Sequence, residues 1–243
     1  MAKRRIDTFE EIKEDAPENL TNHPFFGIKT NPEQTIFRDA IWNPKNKIVF
    51  CDSVAGTGKT LIATATACLL VKTGRFKEIV FLASPINADK EGFLPGDTFS
   101  KGAPYYTPFF QALRRIGVNT NTAVHSEDLL NEKTGSAFIT CMTDTYIRGM
   151  NVGEVGRNKN TVYLVEEAAN FTSQQLVRAL TRVCDGSLTV CIGHSLQCDL
   201  PNKSRSGFAP MLEHFRCQPW CEICTLSENY RGDVSRWADQ FKG

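Results

Sequence analysis

The sequence predicts an α/β fold, a mostly parallel sheet flanked by helices in a single domain, on three observations. Short apolar runs rich in Val, Ile and Phe recur at 47–51, 78–83, 137–141, 161–165, 188–192 and 221–226, the form expected of strands buried on both faces. Helical patterns separate several of them, at 59–72, 105–116 and 173–183, an alternation typical of parallel strands joined by crossover helices. The first apolar run leads through a glycine-rich turn straight into a helix.

The chain opens with "MAKRRIDTFEEIKEDAPENL", basic at first and then acidic. Without an apolar stretch and a small-residue cleavage site it is not a secretory signal, and it reads as a soluble arm over 1–25 ahead of a domain over 26–243. Length alone, 243 residues, allows one large domain or two small ones, and we read one. No apolar run approaches the roughly 20 residues needed to cross a bilayer, so no membrane partner is expected. Nine cysteines, an odd number sitting mostly inside apolar runs such as "KIVFCD", argue for reduced thiols and a cytoplasmic home. With a net charge of +1, bulk electrostatics give no reason to expect nucleic acid, and any such binding must use a local patch.

The stretch "KIVFCDSVAGTGKTLIATATACLL" is strand, glycine loop, helix, the context that makes a Walker A match credible. Gly56 and Gly58 let the backbone curl until successive N–H groups of Val54, Ala55, Gly56, Thr57, Gly58, Lys59 and Thr60 face an anion. Lys59 is then placed to reach the β- and γ-phosphates of ATP, and the Thr60 hydroxyl to meet Mg²⁺. Ser53 stands where the usual loop has its first glycine. That glycine eases the turn and supplies neither lysine nor metal ligand, so a modest effect is expected.

Downstream, "TVYLVEEAANF" is an apolar strand ending in two carboxylates, the form of a Walker B element. In such a strand the first acid, here Glu166, approaches Mg²⁺, and the second, Glu167, orients the attacking water. The following helix has a clear start. Thr172 and Gln175 can form a capping box, with Leu176, Leu180 and Val183 along one face. The Gly/Asn-rich "RGMNVGEVGRNKN" at 148–160 reads as a loop.

From about residue 30 to 235 the chain resembles the phosphate-starvation-inducible PhoH-like proteins through five motifs in order: "NPEQTIFRDAI", "SVAGTGKT", "GFLPGD", "VEEAANFTSQQLVRALTRV" and "CIGHSLQCDLPNKSRSGF". The resemblance implies a RecA-like P-loop ATPase related to superfamily-one helicases, often assembling as a hexameric ring, with proposed action on single-stranded RNA or DNA. By the same comparison Gln34 looks like the glutamine that reads adenine, and a carboxamide can pair with N6 and N7 together. Gln197 in "GHSLQ" is similar to the glutamine of the G-D-x-x-Q element that couples the γ-phosphate to nucleic acid. Arg148 matches an arginine before the Walker B strand. Arg231 in "LSENYRG" resembles a helicase arginine that touches the γ-phosphate, a candidate arginine finger in cis or from a neighbouring subunit.

Three positions leave the family pattern: Ser53 for glycine, Glu166 for aspartate and His194 for the aspartate of G-D-x-x-Q. Glutamate is longer but keeps the charge. Histidine replaces an anion with a group mostly neutral near pH 7. Two readings therefore stand side by side, a Mg²⁺-dependent ATPase acting on nucleic acid and a catalytically weak, nucleotide-dependent oligomeric scaffold. A small-molecule kinase fits the loop but not the acidic pair with "GHSLQ". For nucleic acid the chain offers Lys203, Arg205, Arg114 and Arg115, with Tyr105, Tyr106, Phe109 and Phe110 as stacking candidates that compete with a core role. "HFRCQPWCEIC" offers His214, Cys217, Cys221 and Cys224 to zinc. No second CxxC exists, and residues three apart on a strand face opposite ways, so buried thiols are the default reading.

Overall fold

The computed structural model describes residues 16–84, 98–125, 137–143 and 160–239. "GFLPGD", Arg148 and most of the 148–160 loop lie outside the described residues. The elements run α1 (Pro32–Trp42), β1 (Ile48–Asp52), α2 (Lys59–Lys72), β2 (Glu78–Ala83), α3 (Thr98–Arg115), α4 (Thr120–Ala123), β3 (Ile139–Thr143), β4 (Thr161–Val165), α5 (Ser173–Leu180), β5 (Leu188–Gly193), α6 (Phe208–Phe215), β6 (Cys221–Cys224) and α7 (Asp233–Asp239), with one short 3-10 turn ahead of α1 and two between later elements. The six strands form one sheet in the order β3-β2-β4-β5-β1-β6, and every neighbouring pair is parallel. This is the α/β architecture the sequence predicts.

Because successive side chains on a strand point to opposite faces, each strand feeds two cores. Val49 and Cys51 of β1 join the layer containing α1, α2, α3 and α4, whereas Ile48 and Phe50 join the layer containing α5 and α6. Helix α2 is buried on almost every side, from Ile62 to Leu70. Its alternating Ala and Thr residues make this possible, since small side chains let a helix lie close to the sheet and to α1 and α3 at once. A buried hydroxyl there needs an acceptor, and Thr66 finds one in the Ile62 carbonyl at 2.7 Å.

Phe81 of β2 stacks on Phe109 of α3 with ring centres 4.2 Å apart and planes 12° from parallel. Tyr106 is likewise fully buried. The two rings serve packing, burial of each stabilising the fold by about 2 kcal/mol, so neither can stack on a base. That corrects the wider aromatic surface offered from sequence. The packing also reaches back ahead of residue 26, with Leu20 and Phe25 in the α1–α2 core and Trp42 Nε1 donating to the Pro17 carbonyl at 3.2 Å. Among the described residues no helix is long and apolar enough to cross a membrane.

A parallel sheet brings the carboxyl ends of its strands to one edge. Asp52 ends β1, Glu166 follows β4 and His194 follows β5, so chain topology alone gathers the glycine loop, the acidic pair and "GHSLQ".

Candidate nucleotide site

The glycine loop bends as its residues require. Gly56 and Gly58 have φ of +79° and +81°, in the left-handed region that side chains with a Cβ disfavour. Gly58 is also the cap of α2, leaving that helix's first N–H groups directed at the loop. Lys59 is only 8% exposed, and its Nζ donates to the Val54 carbonyl at 3.2 Å. The Thr57 hydroxyl donates to the same carbonyl at 3.1 Å. Val54 and Ala55 form the half-buried crown of the loop.

Glu166 is 4% exposed, and its Oε1 accepts the Thr60 hydroxyl at 2.7 Å. Oε2 is buried without a hydrogen-bond partner among the described residues. Burial pushes the Glu166 carboxyl up to about 7, against the lowering effect of the Thr60 hydroxyl; the Glu167 charge raises it further and Lys59 opposes. An orphaned carboxylate oxygen beside a hydroxyl is a hard-oxygen donor set that fits Mg²⁺, whose charge would stabilise the ionised carboxylate. Glu167 is exposed and holds φ +49°. For a residue with a Cβ that conformation is uncommon, and such strain concentrates at functional positions.

Gln34 is buried rather than an exposed helical residue. Its Oε1 accepts the Asn31 N–H at 3.2 Å, completing a capping box with the Asn31 side chain, and its Nε2 donates to the Thr57 carbonyl at 2.8 Å. The glutamine thus joins the start of α1 to the glycine loop. Gln197 is exposed in the turn after β5, its N–H donating to the His194 carbonyl at 3.0 Å. His194 is half-buried, with Nδ1 buried and unpartnered among the described residues.

Arg231 lies over the glycine loop of its own chain. A Cβ placed on Gly56 would fall 2.9 Å from Arg231 Cγ and 2.6 Å from Asn229 Oδ1. The Tyr230 N–H donates to the Gly56 carbonyl at 2.9 Å, and Asn229 Oδ1 accepts the Arg231 N–H at 2.8 Å. The segment is also fastened to α1, where Glu33 accepts the Ser227 N–H and hydroxyl at 2.6 and 2.7 Å and Asn31 Nδ2 donates to Glu228 and Tyr230.

The structure therefore gathers Gln34, the loop 54–60, Glu166, Glu167 and Arg231 at one edge of the sheet, with Gln197 on the adjoining turn. Sequence reasoning missed Asn31, Glu33, Asp52 and Asn229. Asn31 carried a signal, since Asn-Pro-Glu-Gln is the pattern of a capping box with proline at the first helical position. Glu33 and Asp52 act through hydrogen bonds to residues more than 140 positions away, and Asn229 through its approach to Gly56, none of which a local pattern announces. Cys221 packs with the α5–α6 layer and Cys224 with the α1–α2 layer, so the two thiols lie on opposite faces of β6. No group of three potential metal ligands from His, Cys, Asp and Glu occurs among the described residues.

A family model described as PhoH-like protein matches residues 28–239. Protein PhoH of Escherichia coli strain K12 is 32% identical over 171 residues, covering 70% of this chain and 45% of that protein. Protein PhoH2 of Bacillus subtilis strain 168 is 30% identical over 218 residues, covering 88% of this chain and 47% of that protein. The chain spans about half the length of the curated relatives it matches. Among solved structures, the UvsW helicase from bacteriophage T4 is 11% identical with a TM-score of 0.49, over 82% of this chain and 60% of that one.

Proposed function

This chain belongs to the PhoH-like protein family, and from that premise we propose that it binds ATP with Mg²⁺, hydrolyses it, and acts on single-stranded RNA or DNA as a ring-forming, helicase-like ATPase. The observation that carries the reading is the meeting of Thr60 with Glu166 at 2.7 Å, beside a carboxylate oxygen without a protein partner. It joins the glycine loop to the acidic strand, the pairing that phosphoryl transfer needs.

In this reading the backbone N–H groups of 54–60 cradle the phosphates, and Lys59 leaves the Val54 carbonyl for the β- and γ-oxygens. Thr60 and Glu166 hold Mg²⁺. When bound, the cation neutralises charge developing on the phosphoryl oxygens. Glu167 orients the attacking water, Gln197 senses the γ-phosphate and Arg231 stabilises transition-state charge in cis, as its place over its own Gly56 supports. Gln34 stands beside the loop where a base edge could meet its remaining donor. Exposed Lys203 and Arg205 after β5, with Arg114 and Arg115 at the end of α3, offer phosphate contacts to a nucleic-acid strand.

The test is steady-state phosphate release from ATP with Mg²⁺, with and without single-stranded RNA or DNA, comparing wild type with Glu167→Gln. Turnover that rises with nucleic acid and is lost in the variant supports a motor ATPase. ATP bound without release above the variant favours the scaffold reading.

A further inference from the structure

Two residues at the mouth of the glycine loop have no part in cradling phosphate, yet each reaches far along the chain. Asp52 ends β1, and its Oδ1 accepts the N–H of Ser195 at 2.8 Å. Ser53 follows, and its Oγ accepts the N–H of Leu226 at 2.7 Å. Ser53 and Leu226 are 2% and 1% exposed, so water cannot replace that acceptor, and a glycine at 53 would leave the Leu226 N–H without it. Ser53 N–H in turn donates to the Gly193 carbonyl at 2.9 Å.

The two acceptors serve two different segments. Ser195 belongs to the turn that carries Gln197. Leu226 begins the strap that carries Asn229 and Arg231. We propose that Asp52 and Ser53 are a positioning pair, fixing both γ-phosphate-facing segments to the base of the phosphate loop without touching nucleotide. The proposal rests on the ATPase reading of the site.

The chemistry of the pair accounts for two departures together. With His194 in place of an aspartate, the sensor turn has lost a carboxylate of its own, and Asp52 presents one to the same turn from the neighbouring strand, where Asp52 pairs in register with Gly193. With Ser53 in place of glycine, the loop gains a hydroxyl, whose oxygen accepts from the strap and which also pairs with Cys51 Sγ at 3.2 Å. Both contacts are side chain to backbone, so they set position whatever side chains the two segments carry. Small displacements of groups that face a transferring phosphoryl cost rate more than affinity.

The experiment compares wild type with Asp52→Ala, Asp52→Asn and Ser53→Gly, measuring amide hydrogen exchange, fluorescent ATP and ADP affinity, and phosphate release. In Asp52→Ala, exchange at Ser195 speeds up about tenfold or more with Leu226 unmoved. Its kcat falls about tenfold or more while ATP affinity changes less than about threefold. Asp52→Asn, whose carbonyl oxygen still accepts the Ser195 N–H, recovers both. Ser53→Gly shows the mirror pattern, with exchange faster at Leu226 alone. Equal damage in Asp52→Ala and Asp52→Asn, unchanged exchange, or affinity and kcat falling together would overturn the proposal. If Ser53→Gly does not fold, the Asp52 pair decides alone. If wild type releases no more phosphate than Lys59→Ala, the ATPase reading fails, and the pair is then judged on exchange and on the ATP-over-ADP affinity ratio. That ratio falls in Asp52→Ala and Ser53→Gly if the pair positions γ-phosphate contacts, and stays at the wild-type value if it does not.

Discussion

The hydroxyl of Thr60 lies 2.7 Å from Oε1 of Glu166, although 106 residues separate them in the chain. Burial without a cation raises the Glu166 carboxyl to about 7 from an ordinary 4.5, and this fixes the sign of a pH effect. Between those values the folded protein holds a proton that the unfolded chain has released, so stability falls as pH rises through the window. Glu166→Gln has no charge to bury. In metal-free protein its melting temperature relative to wild type therefore climbs by roughly 5 °C between about pH 5 and pH 8. Adding Mg²⁺ shrinks the gap at the upper end, because the cation stabilises the wild-type carboxylate. A gap independent of pH would show that Glu166 is not buried as an acid in the free protein.

Gln34 separates two roles that an alanine would remove together. Its oxygen caps α1 and its nitrogen holds the Thr57 carbonyl. Gln34→Glu keeps the acceptor for the Asn31 N–H and loses the donor, whereas Gln34→Ala loses both. The alanine variant is less stable by about 1 kcal/mol, the value of a helix cap, and the glutamate variant is at least as destabilised at neutral pH, because it keeps the cap but turns a buried carboxylate oxygen toward the Thr57 carbonyl. Both weaken ATP binding, since each releases Thr57 and removes the donor available to adenine. Equal ATP affinity across the three proteins, measured by fluorescent-nucleotide titration, would remove Gln34 from the site.

Local patterns carried most of the fold and the centre of the site. The helix over 59–72 and the Thr172–Gln175 capping box both follow from residues within one turn of each other, and the structure has both. The same is true of the glycine loop, where φ above zero at Gly56 and Gly58 is written in the residue type. Strand order was not legible, because nothing local says that β1 lies between β5 and β6. Asp52 and Ser53 were opaque for the same reason: their partners lie 143 and 173 residues away, and either could have been a solvated polar residue beside a turn. Tyr106 and Phe109 were ambiguous because an aromatic helix face serves a core or a base equally well, and only the complete burial of both rings, with Phe109 stacked on Phe81, decides for the core.

The cysteines differ enough in environment to be ordered by reactivity. Burial raises Cys51 and Cys224 to about 12 and pushes Cys68, Cys141 and Cys191 higher still, and thiols attack as thiolates. Cys221, half-buried, is raised to about 11. Cys217 is exposed. A maleimide titration of the native protein followed by peptide mapping labels Cys217 first and the five fully raised core thiols only after denaturation. Protection of Cys217 together with His214 by zinc would revive the metal reading that the opposed faces of Cys221 and Cys224 argue against.

Arg231 and Gly56 decide whether the site is complete within one chain. The arginine stem covers the glycine so closely that a methyl at 56 would meet Asn229 Oδ1 at 2.6 Å and Arg231 Cγ at 2.9 Å, and φ of +79° adds strain for any residue with a Cβ. Gly56→Ala therefore has to move the strap or the loop. Loss of turnover follows in either case, with an effect on the order of tenfold to a hundredfold expected for displaced phosphoryl-facing groups. Arg231→Ala loses the guanidinium together with the stem over Gly56 but leaves Asn229 and the Tyr230 N–H to hold the strap, so its kcat falls while ATP affinity changes less. Because Arg231 reaches the loop of its own chain, hydrolysis per subunit stays constant as protein is diluted through any assembly transition. A rate per subunit that drops on dilution, restored by mixing Arg231→Ala with a Lys59→Ala chain, would mean that the arginine serves a neighbour and that the cis contact is exchanged on assembly.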